Sequence, residues 1–284
     1  MRDIKRRKSS IQSTQQITKA MKLVSTVKLQ KAKLHAEATD PYFNHMYRTV
    51  TSILAKSGNI NHPYLQSGAS DKIAVVVITS NRGLAGGYNA NVTKLITNNQ
   101  ELLPKDKVEV YCIGSKGRET LDRYGYTIKE DHSAIMEAPS YEDAAAVCAR
   151  VLDAFTRGEI GEIYLAYTHF KNTVVHVPQL MKLLPVEFSD EEIAAADDKL
   201  IMNYEPNVEE ALDLIIPKYV TSIFYGALVE ALASENGARM QAMDSATSNA
   251  EDMISDLSLK YNRARQGSIT QELTEIIAGA EAIS

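Results

Sequence analysis

All eight prolines of this 284-residue chain lie between Pro41 and Pro217, which leaves the first 40 and the last 67 residues without one. A proline inside a helix costs on the order of 3 kcal/mol, so the two proline-free ends can be long helices where the middle cannot. A helix from Lys218 to the last residue would be about 100 Å long at about 1.5 Å per residue. A rod of that length needs a partner against which to bury one face.

The apolar spacing supplies a partner. Ile17, Ala20, Val24, Val27, Lys31, Leu34 and Ala38 follow alternating steps of three and four residues, with the methylene stem of Lys31 lying along the seam. Met243, Ala246, Ala250, Met253 and Leu257 repeat the pattern, as do Ile269, Leu273, Ile276, Ala280 and Ile283, with a phase break between these two runs that reads as a stutter. Two such helices in one chain pair most easily antiparallel.

The centre has a different texture. DKIAVVVITS (71–80), KVEVYCIG (107–114) and EIYLAYTHF (within 159–170) are short β-branched runs, with helical stretches near 91–103, 116–124 and 141–156 between them. The segment 174–188 reads as a further, edge strand, and DEEIAAADDK as a solvated linker. The expected fold class is therefore α/β with long helices: an antiparallel coiled coil of the N- and C-terminal helices plus a central Rossmann-like α/β domain. Its parts are expected at 1–58, 70–190 and 207–284.

Charge is unevenly spread. Residues 1–36 carry ten Lys or Arg against the single acid Asp3, so the remainder holds −14 of a net charge of −5. A basic rod can attract nucleic acid, an acidic membrane surface or acidic protein loops. No signal peptide or membrane-spanning segment is expected, since Met1 leads directly into Arg2, Lys5, Arg6, Arg7 and Lys8. Cys112 and Cys148 lack CxxC spacing, which argues against a disulfide framework or a zinc site.

VVVITSNRGLAGGYN (75–89) runs from a strand into a glycine-rich turn, the way many nucleotide sites begin. It has no lysine before Lys94, so the phosphate-cradling GxxxxGK loop is missing, and Ala85 stands where a dinucleotide fingerprint needs its second glycine. The turn is instead expected to use its glycines for positive φ, with no cofactor bound. The six histidines show no metal-ligand spacing, and GSKGRE (114–119) reads as a Gly/Ser turn at a helix start.

TQQITKAMKLVSTVKLQKAK (14–33) and YNRARQGSITQELTEIIAGAEAI (261–283) closely resemble the terminal helices of the gamma subunit of bacterial F-type ATP synthases. The second carries the more specific signature, in Ile269, Thr270, Glu272, Glu275, Gly279 and Ala280. SNRGLAGGYNAN and the Tyr-Glu-Pro at 204–206 are similar to further family features, so the resemblance spans the chain. It implies a central rotor shaft, not itself catalytic, that couples a membrane ion-translocating ring to three catalytic beta subunits for ATP synthesis or hydrolysis. The implied partners are three alpha and three beta subunits, an epsilon subunit and the membrane c-ring, without nucleic acid or direct membrane insertion. The implied location is peripheral, at the cytoplasmic face of a bacterial cell membrane.

Residue by residue, the resemblance implies beta-subunit contacts at Lys19, Met21, Arg239, Gln266, Thr270 and Glu272. It implies membrane-ring contacts at Tyr204 and Glu205, and a bearing tip at Ile276, Ile277 and Ile283. Lys8 and Asn81 depart from the family pattern, which has an apolar residue at the first position and aspartate at the second. Two competing functions remain at this stage: a nucleotide-binding α/β enzyme using the Gly83 loop, and a nucleic-acid-binding coiled-coil protein using the basic N-terminal rod.

Overall fold

The computed structural model describes residues 1–57, 62–187 and 207–281. The expected linker over 190–199, together with Tyr204, Glu205 and Ile283, lies outside the described residues. The long helices are α1 (Arg2–Ser57) and, at the other end of the chain, α5 (Val208–Glu281). Each contains a proline, Pro41 in α1 and Pro217 in α5. A proline lacks the N–H that would reach the carbonyl four residues back, but both helices run on because burial holds the flanking turns. Val50 and Ile53 follow Pro41 into the core, while Leu212, Ile216, Val220 and Phe224 bracket Pro217. The start of α5 is capped by Asn207, whose Oδ1 accepts from the Glu210 amide at 2.8 Å while its Nδ2 donates to the Glu210 carboxylate at 3.0 Å.

The chain packs as two compact units, one formed by Thr26–Ala238 and the other by Met1–Ser25 with Arg239–Ser284. The first is built on a five-stranded sheet of β1 (Ile73–Ile78), β2 (Val108–Ile113), β3 (Thr127–Asp131), β4 (Glu162–Phe170) and β5 (His176–Leu184). The strand order is β3-β2-β1-β4-β5, with β1 to β4 mutually parallel and β5 antiparallel to β4 at the edge. The crossover helices are α2 (Tyr88–Thr97), α3 (Ser115–Arg123) and α4 (Tyr141–Thr156).

Every residue of β1 is buried, which is why its sequence reads as an unbroken β-branched run instead of alternating. Ile73, Val75 and Val77 point to one side with Val92 and Ile96 of α2 and Leu121 of α3. Ala74, Val76 and Ile78 point to the other, with α4 (Val147, Cys148, Val151, Phe155), the end of α1 and the start of α5. One 18-residue window of α5 has a mean hydropathy of 1.4, apolar enough by length and composition to cross a bilayer, but 56% of it is buried inside the protein.

Strands 71–80, 107–114 and 159–170, the edge strand in 174–188 and helix 141–156 fall where the sequence put them, the last fixed by a capping box between Ser140 and Asp143. Helix α2 starts and ends earlier than the expected 91–103, stopping before Asn98-Asn99. Strand β3 was not expected. Its residues alternate exposed and half-buried, with Lys129, Glu130 and Asp131 on the rim, and such charges protect a sheet edge while masking its strand character.

Glu109, on β2, carries a specific electrostatic load. Burial alone would raise its carboxyl, but Lys72 at 2.7 Å and Lys129 at 3.2 Å hold it below the ordinary value of 4.5. A depressed carboxyl contributes stability that is present above its unfolded-state value and lost as pH falls through the folded one. Glu109→Gln should therefore flatten the acid limb of a urea-midpoint-against-pH curve below about pH 4.5, the ordinary glutamate range, relative to the unaltered protein. Phe224→Ala, which empties one of the largest wholly buried sites, should cost about 3–5 kcal/mol in equilibrium denaturation.

Candidate functional site: a polar-seamed coil and its exposed tip

The unit formed by the two chain ends is an antiparallel pair of helix segments. Gln15 Nε2 donates to Glu251 at 3.0 Å, the hydroxyl oxygens of Thr18 and Thr247 lie 2.8 Å apart, and Lys22 Nζ donates to Asp244 at 2.6 Å. Residue numbers rise on one helix as they fall on the other, so the direction is that expected from the sequence. The face of α1 is not.

The expected seam residues Ile17 and Val24 are 60% and 57% exposed, whereas Thr18 is 8% exposed and Ser25 is buried. The buried and half-buried positions of α1 in this unit are Ile4, Lys8, Ile11, Gln15, Thr18, Met21, Lys22 and Ser25, a heptad series two residues out of phase with the expected one. Within the other unit the same correction holds: Val27 and Leu34 are exposed, and Leu29 and Ala32 are buried. The sequence reading took the more apolar heptad for the seam, but the face of α1 that meets α5 is mixed, with Gln15, Thr18, Lys22 and Ser25 beside Ile4, Ile11 and Met21. Lys8, the departure from the family pattern, is half-buried in this series, its stem able to lie along the coil.

On α5 the expected run is nearer the mark. Met243 and Ala250 are buried and Ala246 and Leu257 half-buried, but Met253 is 54% exposed and Ile254 takes the inner place. The last expected run is not a seam, because Ile269, Leu273, Ile276 and Ala280 are all exposed. The reason is geometric. The register that sets Gln15 beside Glu251 exhausts α1 near Arg265, so the remaining turns of α5 have no helix to pair with.

Of the residues singled out by resemblance, Lys19 is exposed and borders an open groove with Lys22, Leu23, Asp244, Ser248 and Glu251. Met21 and Arg239 are half-buried. Gln266, Thr270 and Glu272 are exposed, the first two one turn apart on the same face. Ile276 and Ile277 are 67% and 60% exposed at the tip. Arg239 and Gln266 lie on one helix about 40 Å apart, so these residues form stations along a rod and not one pocket. The polar pairs Gln15–Glu251, Thr18–Thr247 and Lys22–Asp244 went unnoticed in the sequence. Their signal was the shared heptad spacing of hydrogen-bonding residues on both ends.

The glycine turn after β1 consumes its own polar groups. Asn81 Oδ1 accepts from the Ser115 amide at 3.0 Å and its Nδ2 donates to the Ser133 carbonyl at 2.8 Å. Thr79 Oγ1 accepts from the Gly117 amide at 2.8 Å. The amides of Ser115 and Gly117 at the start of α3 thus point at side chains of the same domain, while α2, the helix the glycine turn leads into, starts after Gly87 without a side-chain cap. A Cβ at Gly114 would stand 2.0 Å from the Thr79 carbonyl oxygen, which explains the glycine there. Positive φ occurs at Gly86 as expected, but also at Leu84 (φ 64°), a strained conformation for a branched side chain.

Other reactive groups are muted. Burial pushes the Cys112 and Cys148 thiols up to about 12, so both stay protonated near neutrality. Among the described residues no three His, Cys, Asp or Glu side chains cluster as metal ligands.

Residues 1–283 match the family model described as ATP synthase. The chain is 66% identical over 290 aligned residues to the ATP synthase gamma chain of Lachnoclostridium phytofermentans, covering 100% of this chain and 99% of that one. It is 42% identical to the ATP synthase gamma chain, sodium ion specific, of Acetobacterium woodii, covering 100% and 99%. Its fold matches a chain of the Euglena gracilis mitochondrial ATP synthase rotor with a TM-score of 0.67 at 19% identity, covering 94% of this chain and 98% of that one. On sequence and architecture together, the chain belongs to the gamma-chain family of the F-type ATP synthases.

Proposed function

We propose that this chain is the central rotor shaft of a bacterial F-type ATP synthase, carrying rotation between a membrane ion-translocating ring and three catalytic beta subunits. The observation that carries the reading is the coil of the two chain ends continuing into a bare apolar tip. A two-helix rod with paired faces resists bending better than one helix, and Ile276 and Ile277 offer an apolar end for a bearing. Membership of the gamma-chain family supports the same reading.

In this account the shaft stands within three alpha and three beta subunits, meets an epsilon subunit and the c-ring at its other end, and sits peripherally at the cytoplasmic face of the membrane. It performs no chemistry of its own. Lys19, Met21, Arg239, Gln266, Thr270 and Glu272 meet the beta subunits in turn as it rotates. Arg239 is suited to a charge-assisted contact with an acidic loop. Tyr204 and Glu205 meet the membrane ring, and Ile283 completes the tip.

The purified chain should show no ATPase activity but should confer cooperative hydrolysis on matching alpha and beta subunits. Appreciable ATP hydrolysis by the chain alone would overturn the assignment of roles. In the reconstituted complex, Arg239→Ala should lower turnover about tenfold, the effect of losing roughly 1.4 kcal/mol of transition-state coupling, as measured by steady-state ATP hydrolysis.

A further inference from the structure

The first helix carries two heptad stripes, and only one of them faces α5. Gln15, Thr18 and Lys22 lie on the inner stripe, while Ile17, Ala20 and Val24 lie two residues further on, about 200° round the helix. The more apolar stripe is thus the one left in solvent. Hydrophobic burial alone would choose the reverse.

The partner helix explains the choice. Along α5 the positions facing α1 include Asp244, Thr247 and Glu251, and each meets a hydrogen-bonding group of α1 at 2.6–3.0 Å. Turning α1 to bury Ile17, Ala20 and Val24 would break all three pairings at once: the exposed Asp244 and Glu251 would exchange a protein partner for water, and the half-buried Thr247 would keep only its bond to the Met243 carbonyl. Isolated polar residues at coiled-coil seams are known to fix register at a cost in stability.

We infer that Gln15–Glu251, Thr18–Thr247 and Lys22–Asp244 form a selector that sets both the register of the coil and the face of α1 turned to the outside. These are positioning residues. Their effect is to hold Ile17, Ala20 and Val24 outward, whatever partner later covers them, and the inference does not depend on the rotor reading.

Disulfide trapping in the full-length chain tests this. One reporter pair, Ile11→Cys with Ile254→Cys, joins half-buried positions of the present seam; the other, Ala20→Cys with Ala246→Cys, joins the outer stripe of α1 to the inner face of α5. With the selector intact, the first pair should oxidise at least about tenfold faster than the second. With Thr18→Val, Lys22→Leu, Asp244→Leu and Thr247→Val together, the order should reverse at unchanged helix content by circular dichroism. An unchanged order in that folded variant would overturn the inference. Should the variant lose helix, Lys22→Asp alone should raise trapping of the outer pair several-fold and added Asp244→Lys should restore the original pattern; no rise, or a rise without restoration, would equally overturn it.

Discussion

Three hydrogen-bonded side-chain pairs across an antiparallel coil fix what the two ends of this chain present to their surroundings. The register they impose determines where α1 stops along α5, and so how many turns of α5 stand bare at the tip. It also determines which residues line the outside of the rod. Thr18, Ser25, Met243 and Ala250 are buried in the seam, while Ile17, Val24 and Met253 are left outward. Each exposed ion pair of this kind contributes little alone, with a median near 0–1 kcal/mol. Their value lies in geometry, because one register brings all three pairs within hydrogen-bonding distance together.

The sheet-bearing unit follows a different logic. Parallel strands buried on both faces need apolar runs and helices on both sides, and β1 with its neighbours meets that demand completely. A doubly wound sheet usually offers a ligand crevice at the carboxyl ends of its strands. Here Asn81 and Thr79 accept from the amides of Ser115 and Gly117, so the residues that open the glycine turn also tie α3 to the end of β1.

Much of this was legible in the sequence. Proline placement revealed the two long helices, although burial carries each of them through one proline, and β-branched runs revealed β1, β2 and β4, because both signals arise from local sterics. The missing lysine of the glycine turn was equally local. What escaped were features decided by pairing. The phase of α1 was misread because Ile17 and Val24 are individually more hydrophobic than Thr18 and Ser25, and only the polar demands of Asp244, Thr247 and Glu251 on the other end reverse that preference. The run from Ile269 was read as a seam because spacing says nothing of where a partner helix ends. Strand β3 escaped because Lys129, Glu130 and Asp131 dress an edge in charge. The residues assigned to partner contact rest on resemblance alone; Lys19, Gln266, Thr270, Glu272, Ile276 and Ile277 are exposed, as a contact surface requires, and Met21 and Arg239 are half-buried.

The most direct measurement is the distance between spin labels placed at the exposed positions Ser13 and Ser255 of the full-length chain. Helices packed at an interaxial distance of about 8–10 Å should give a narrow distribution centred near roughly 20 Å, once the label arms are included. A broad distribution, or one centred beyond about 40 Å, would mean that the two ends do not wind together and that the shaft described here does not exist.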